Sequence, residues 1–496
     1  MEVFGDLASG AALALTWHNL LYCFVGALLG TMIGVLPGIG PVATIAMLLP
    51  ITFGLPPLSG LIMLAGIYYG AQYGGSTSAI LINLPGEVSS AITCIDGHRM
   101  ALAGRAGTAL GISAIASFVG GCVGTLAIVL FGPPLAAMAL SFGPAEYFSL
   151  AVLGLVAAMV LTSGSMLPGV GMILLGLLLS TVGTDLVDGT ERFTFGTFEL
   201  SDGINFVIVA VGLFGIAEIL VNLERRAPAA SRPAEIHGVI PRPHELRIAL
   251  APIARGTLLG TVLGVLPGAG AVLASFGAYA LEKRLAREPE RFGTGALEGV
   301  AAPEAANNAS AQTSFIPLLT LGIPSNGVMA LMIGALTIHG VAPGPSLIVD
   351  RPDLFWGVVA SMLIGNVLLL VLNLPLIGLW VRLLGVPYRF LYLAILLFSC
   401  IGVYSLSNST FDVLLAAGFG VLGWVLLKLR CPPVPLLLGF ILGPLLEENL
   451  RRAMLVADGD ASIFVTRPLS LAILLLALAL FALSFVPRIV VKDPVR

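Results

Sequence analysis

The chain has 496 residues, 57% of them hydrophobic and only 10% charged, with a formal net charge of −3 and a mean hydropathy of +1.02. Soluble domains carry roughly 25% charged residues. This composition therefore excludes a soluble enzyme, a nucleic-acid binder and a disordered scaffold, and the small net charge supplies no field to steer acidic partners. The apolar runs are continuous and not alternating, which argues against a membrane β-barrel. The class that remains is an all-α polytopic membrane protein, with room for about 10–14 spans at roughly 20 residues each. Gly (60) and Pro (32) are abundant, which predicts helices that are broken or closely packed.

In chain order, apolar stretches lie near 11–36, 42–55, 58–84, 107–131, 145–163, 165–182, 203–223, 250–282, 303–323, 327–345, 354–373, 374–385, 388–406, 411–429, 432–446 and 468–487. Those at 42–55 and 374–385 are too short to cross alone and read as re-entrant or paired segments. Cations cluster in four places: Arg99 and Arg105; the polar stretch from Glu224 to Arg255; Lys283, Arg284, Arg287 and Arg291; and Arg451 with Arg452. The positive-inside rule puts these in the cytoplasm. No Lys or Arg precedes Arg99, so the N-terminus is expected outside and no cleavable signal is expected. The expected organisation is a first half (1–225), a cytoplasmic linker (226–254), a second half (255–446), and a C-terminal loop with a last span (447–496). Glu447 and Arg451, like Glu448 and Arg452, are four apart and read as helix-surface pairs.

The most informative feature is an internal repeat. Residues 26–40 read GALLGTMIGVLPGIG and residues 256–270 read GTLLGTVLGVLPGAG, eleven of fifteen positions being identical. Each copy places glycine at every fourth position (Gly26, Gly30, Gly34, Gly38; Gly256, Gly260, Gly264, Gly268), a side-chain-free helix stripe that admits a second backbone. Each then reaches a Leu-Pro-Gly break, at Pro37-Gly38 and Pro267-Gly268. A weaker match follows: YGGSTSAILINLPGE (73–87) against APEAANNASAQTSFIPLLTLGIPSN (302–326), with Asn83-Leu84-Pro85 aligned to Gly322-Ile323-Pro324. Pro85, Gly86 and Pro324 mark the second breaks. The basic loop follows the second break in half one and precedes it in half two, so equivalent positions carry opposite cation bias. Inverted halves with broken helices are a recurrent design of secondary transporters.

Breaking a helix within the membrane frees backbone groups that must find partners, and half-helix N-termini attract carboxylates. Ser76, Thr77, Ser78 and Asn83 supply small polar groups in half one. Asn307, Asn308, Ser310, Ser314, Ser325 and Asn326 supply them in half two, together with Thr313. With no Lys or Arg in either segment, a bound anion would rely on N–H dipoles, hydroxyls, amides and a co-bound cation. Glu304, inside an apolar run, is the candidate for coupling to that cation; a capping carboxylate at a membrane-edge helix start is the alternative. His18, His98, His237, His244 and His339 show no ligand spacing, and neither H-E-x-x-H, a G-x-S-x-G elbow nor a Walker A loop occurs, so no metal, cofactor or catalytic residue is expected. A passive anion channel is the competing class; it would favour rings of charged pore residues.

The stretches GTMIGVLPGIGP, YGGSTSAILINLPGE, DGHRMALAGRAGTALGISAIASFVGG, GTVLGVLPGAGAVLASFGAYALEKR, FGTGALEGVAAPEAANNASAQTSFIPLLTLGIPSN and GFILGPLLEENLRRAM together resemble the large membrane subunit of the tripartite tricarboxylate transporter family. The resemblance implies import of di- or tricarboxylates such as citrate across the bacterial inner membrane, driven by a sodium or proton gradient without ATP. It also implies two partners: a small membrane subunit of four spans and a periplasmic solute-binding protein that delivers the substrate.

Overall fold

The computed structural model describes residues 2–36, 40–160, 166–185, 188–224, 236, 238–266, 270–383 and 388–483. Among these the chain is almost wholly helical; its one sheet is a two-residue antiparallel pairing of Gly183–Thr184 with Glu191–Arg192. Among the described residues, seven helical stretches are long and apolar enough to cross a membrane: Trp17–Val35, Val88–Ala139, Phe206–Glu224, Pro243–Val265, Pro352–Asn373, Thr410–Lys428 and Pro433–Val456. Shorter apolar helices accompany them, including Pro41–Thr52, where the short stretch 42–55 was expected. The protein is an all-α polytopic membrane protein.

The chain divides into two compact units, each drawing on both sides of the 226–254 segment: residues 1–140 with 204–433, and residues 141–203 with 434–496. In the first unit the glycine stripes do what their spacing predicts. A stripe helix in half one (Trp17–Val35) lies against a site helix (Pro57–Ile82), and a methyl group on Gly26, Gly30 or Gly34 would come within 3.0 Å of the backbone carbonyls of Met63, Ile67 and Ala71. In half two the stripe helix (Pro243–Val265) lies against the site helix Glu298–Thr313, with Gly256, Gly260 and Gly264 over the carbonyls of Ala302, Ala306 and Ser310. Both stripe helices stop directly before Leu-Pro-Gly, and its leucine turns extended: Leu36 at φ −85°, ψ 109° and Leu266 at φ −75°, ψ 124°. Pro37, Gly38, Pro267 and Gly268 themselves lie outside the described residues. The site helix of half two is gripped from a second side, because Gly120 and Gly124 of the long helix Ala106–Ala139 abut the Ala305 and Ala309 carbonyls.

In the second unit, helix Met166–Ser180 packs on helix Pro433–Val456 through Gly176 against the Leu436 carbonyl and Gly439 against the Ile173 carbonyl. The expected surface pairs form, Arg451–Glu447 at 2.9 Å and Arg452–Glu448 at 2.5 Å. Arg451 is more than a surface partner. It donates to both oxygens of Asp185, at 3.1 and 2.9 Å, a carboxylate only 4% exposed that Arg192 also pairs with. Glu146, near a span end and 3% exposed, is matched by Arg467 at 2.9 Å. A buried carboxylate is tolerated where it is paired.

Candidate binding site at the paired helix breaks

The second breaks are equivalent in geometry as well as in sequence. The site helix of half one ends on Asn83 in the left-handed region (φ 58°, ψ 28°), and the short helix Phe315–Leu321, which continues the site helix of half two, ends on Gly322 in the same region (φ 71°, ψ 23°). Asn and Gly are the residues that take this conformation at low cost. The carbonyls beneath the two glycine stripes obey the same interval: Met63, Ile67 and Ala71 correspond to Ala302, Ala306 and Ser310. The spacing between equivalent positions is thus 230 at the stripes and 239 from the site helices onward, the extra residues falling in the basic loop of half two. The register carries further. Gly86 N–H donates to the Gly75 carbonyl (3.4 Å), and at the equivalent place the Ser325 hydroxyl donates to the Ser314 carbonyl (3.3 Å). Asn83→Gly is expected to leave stability unchanged. Asn83→Val is expected to lower it by about 1–2 kcal/mol, the cost of a branched residue with positive φ, measured as a shift in the thermal unfolding midpoint.

The two halves meet in side-chain chemistry around Glu304, which is 1% exposed. Its Oε2 accepts from the hydroxyls of Ser76 (2.6 Å) and Ser117 (3.3 Å), and its Oε1 from Thr93 (2.5 Å); Ser113 stands one turn before Ser117 on the same helix. Glu304 lies two turns inside helix Glu298–Thr313, and its partners come from three other helices. A second carboxylate, Glu87, sits just past the first-half break. It accepts from Asn307 Nδ2 (3.1 Å) and from Ser89, whose hydroxyl also lies 3.1 Å from Gln72 Oε1. A buried and a half-buried carboxylate ringed by hydroxyls and amides suit a proton or a hard monovalent cation, because each group offers oxygen.

The other residues singled out from the sequence divide. Thr77 lines a small cavity beside this cluster. Asn308 donates to the Glu304 carbonyl (3.1 Å), and the buried Asn307 Oδ1, Asn308 Oδ1 and Ser310 Oγ have no hydrogen-bond partner, an uncommon condition for buried polar atoms. Ser78 and Ser314 turn back on their own helices, to Gly75 O (3.0 Å) and Ala311 O (2.7 Å). Asn326 caps helix Gly327–Ile338 by accepting from Met329 N–H and reaches Tyr68 OH at 3.4 Å. Asn83 is exposed, so its contribution in this structure is the turn. Residues that sequence reasoning passed over are Gln72, Ser89, Thr93, Ser113 and Ser117; Glu87, an acid that closes the first polar segment, ranks behind Glu304 on sequence alone. Glu87 had a signal, since it is the repeat equivalent of Asn326. So did Ser113 and Ser117, polar residues four apart in an apolar helix.

Another residue positions the site helix of half two. Asp96, fully buried, accepts at Oδ1 from the backbone N–H groups of Gly293, Gly295 and Ala296 (2.8 Å each) and at Oδ2 from Tyr279 OH (2.8 Å). A side chain of half one thereby ties down the loop that enters the helix bearing Glu304. Asp96→Ala is expected to cost about 3–5 kcal/mol, because several buried donors lose their acceptor at once; Asp96→Asn, which keeps the Oδ1 acceptor, is expected to cost less. Thermal unfolding of the two variants in detergent is the check.

Residues 20–438 match the tripartite tricarboxylate transporter TctA family, a stretch that includes both breaks and every group around Glu304. The chain belongs to that family. It is therefore a membrane component of a tricarboxylate transport system. It is also 56% identical over 489 residues, 99% of this chain and 97% of the relative, to an Agrobacterium vitis protein described as an uncharacterized 52.8 kDa protein in the TAR-I ttuC' 3' region. A second Agrobacterium vitis protein, described as an uncharacterized protein in the TAR-II ttuC' 3' region, is 58% identical over 230 residues, 46% of this chain and 95% of the relative. No solved structure matches the chain.

Proposed function

We propose that this member of the TctA family is a cation-coupled secondary importer of di- and tricarboxylates in the bacterial inner membrane. In this reading it receives substrate from a periplasmic solute-binding protein and works with a small four-span membrane subunit. The observation that carries it is a polar cluster built from both repeats: Ser76 and Glu87 of half one bonded to Glu304 and Asn307 of half two, beside two left-handed helix ends. Substrate binds where freed main-chain groups and the unpaired amide oxygens converge with a co-bound cation, which offsets the cost of carrying a multivalent anion through a low-dielectric interior. Both site helices belong to one compact unit, so they travel together in an elevator-type exchange between the two sides, and the halves are inverted with respect to each other.

Counterflow tests the reading. Proteoliposomes holding the full chain with its small subunit, preloaded with citrate, are expected to accumulate radiolabelled citrate transiently and faster than empty ones. A passive anion channel shows no such trans-stimulation. Asn308→Ala is expected to reduce uptake at unchanged membrane expression. Labelling from either side is expected to place residues 100 and 287 together; opposite placement would remove the inversion.

A further inference from the structure

Beside Glu304 lies a cavity of about 10 Å³ lined by Tyr73, Thr77, Leu110, Ser113, Ala114, Asn373 and Ile377, close to the room one water molecule needs. Its walls are buried, and two of its polar atoms, Tyr73 OH and Asn373 Oδ1, have no hydrogen-bond partner. The amide of Asn373 is oriented: Nδ2 donates to the Leu369 carbonyl at 2.9 Å, which leaves Oδ1 as an acceptor. Ser113 is a wall of the cavity and stands one turn before Ser117, a hydroxyl partner of Glu304, on helix Ala106–Ala139. A Ser113 proton directed at the carboxylate leaves a lone pair for a donor in the cavity. The set therefore calls for a small guest that gives two hydrogen bonds, to Asn373 Oδ1 and Ser113 Oγ, and takes one from Tyr73 OH. Three bonds are what a buried water commonly makes.

We propose that this cavity holds one water molecule that passes protons to and from Glu304 through Ser113, which makes Glu304 the proton-binding group of the chain. In the inward step an external proton joins the water. The water gives a proton to Ser113 Oγ as Ser113 gives its own to the Glu304 carboxylate, and the water is regenerated neutral, with one proton moved and charge conserved. The other titratable groups near Glu304 are Tyr73 from the site helix of half one, Glu87 beyond its break and Cys94 from helix Thr93–Met100; Cys122 from helix Ala106–Ala139 stands near Tyr73. On the remaining side, Arg255 and Glu282 of the two helices flanking Glu298–Thr313 are paired to each other at 2.6 Å. The proposal rests on the importer reading for the use made of the proton, and not for the relay.

The relay is tested without transport, by pH-jump infrared difference spectroscopy of the full chain in lipid bilayers. A protonated-carboxyl band is expected to rise with the jump and to vanish in Glu304→Gln. Ser113→Ala, which removes an oxygen from the path, and Tyr73→Phe, which removes a hydrogen bond that holds the water, are each expected to slow its rise about tenfold, the factor that one lost hydrogen bond is worth. Ser117→Ala, which touches the same carboxylate outside the cavity, is expected to shift the band and to slow its rise less than Ser113→Ala does. A band that survives Glu304→Gln, a wild-type rate in Ser113→Ala, or equal slowing in Ser117→Ala overturns the relay. So does a rate that sodium chloride suppresses relative to choline chloride in the wild type but not in Tyr73→Phe, for that assigns the cavity to sodium. A normal relay in a chain without citrate counterflow overturns the importer reading alone.

Discussion

Replacing Gly30 or Gly260 with valine is expected to lower stability by about 3 kcal/mol or more, the upper range for forcing volume into a packed interface. At both positions the three atoms nearest to an added methyl group belong to backbone, of Ile67 and of Ala306, and all lie within 3.0 Å. Neither neighbour can rotate away, so the helices must separate along their length. Separation removes the close packing on which helix association in membranes relies, and in half two it also shifts the helix that carries Glu304. Gly418→Ala is the control. It lies in helix Thr410–Lys428 with nothing within 4 Å of an added methyl group, so it is expected to be neutral or slightly stabilising. Thermal unfolding of the three variants in detergent decides the matter: a Gly260→Val protein that melts with the wild type would show that the stripe tolerates side chains. Similar losses at Gly30 and Gly260 are expected from the equivalence of the two helix pairs.

Glu304→Gln is expected to abolish citrate uptake, by about a hundredfold or more, while the protein remains folded. Ser76, Thr93 and Ser117 all direct hydroxyl donors at the carboxylate. An amide keeps the shape but turns an N–H₂ toward at least one of them, which costs about 1–3 kcal/mol for each mispaired buried group, and it cannot take up or release a proton. Glu304→Ala is expected to destabilise the fold as well, since Thr93 and Ser117 are then left without their acceptor, while Ser76 keeps the Gln72 carbonyl at 3.2 Å. Ser76→Ala alone is expected to have a smaller effect, and the Ser76→Ala, Glu304→Gln double variant to be no worse than Glu304→Gln, the non-additivity of groups that act as one. Uptake in proteoliposomes together with thermal unfolding separates the functional loss from the structural one. Wild-type uptake in Glu304→Gln would remove the carboxylate from the coupling step.

Much of this arrangement was legible without coordinates because its causes are local. A glycine at every fourth position makes a flat helix face whatever surrounds it, and Leu-Pro-Gly ends a helix by withdrawing a donor. The helices stop where those residues stand, after Val35 and Val265. Asn83 and Gly322 were paired by a weak alignment, and both adopt the left-handed turn. Glu304 stood out because a carboxylate inside an apolar run needs a reason. What satisfies it stood out only in part: Ser117 carries the weak signal of a polar residue four from Ser113 in an apolar helix, but Thr93 and Asp96 read as members of a short polar segment ahead of Arg99.

The amino-acid order by itself therefore determined the membrane class, the duplication, the close-packing faces and the places where helices break, since each depends on composition or on residues within one or two turns. Only the tertiary structure decided the company Glu304 keeps, the tie from Asp96 to the loop at 293–296, and the cavity between Tyr73, Ser113 and Asn373. Apart from Tyr73 with Ser113, those contacts join residues about two hundred positions apart or more. Side chains that far apart along a chain are brought together by how whole helices pack, and no local spacing records that.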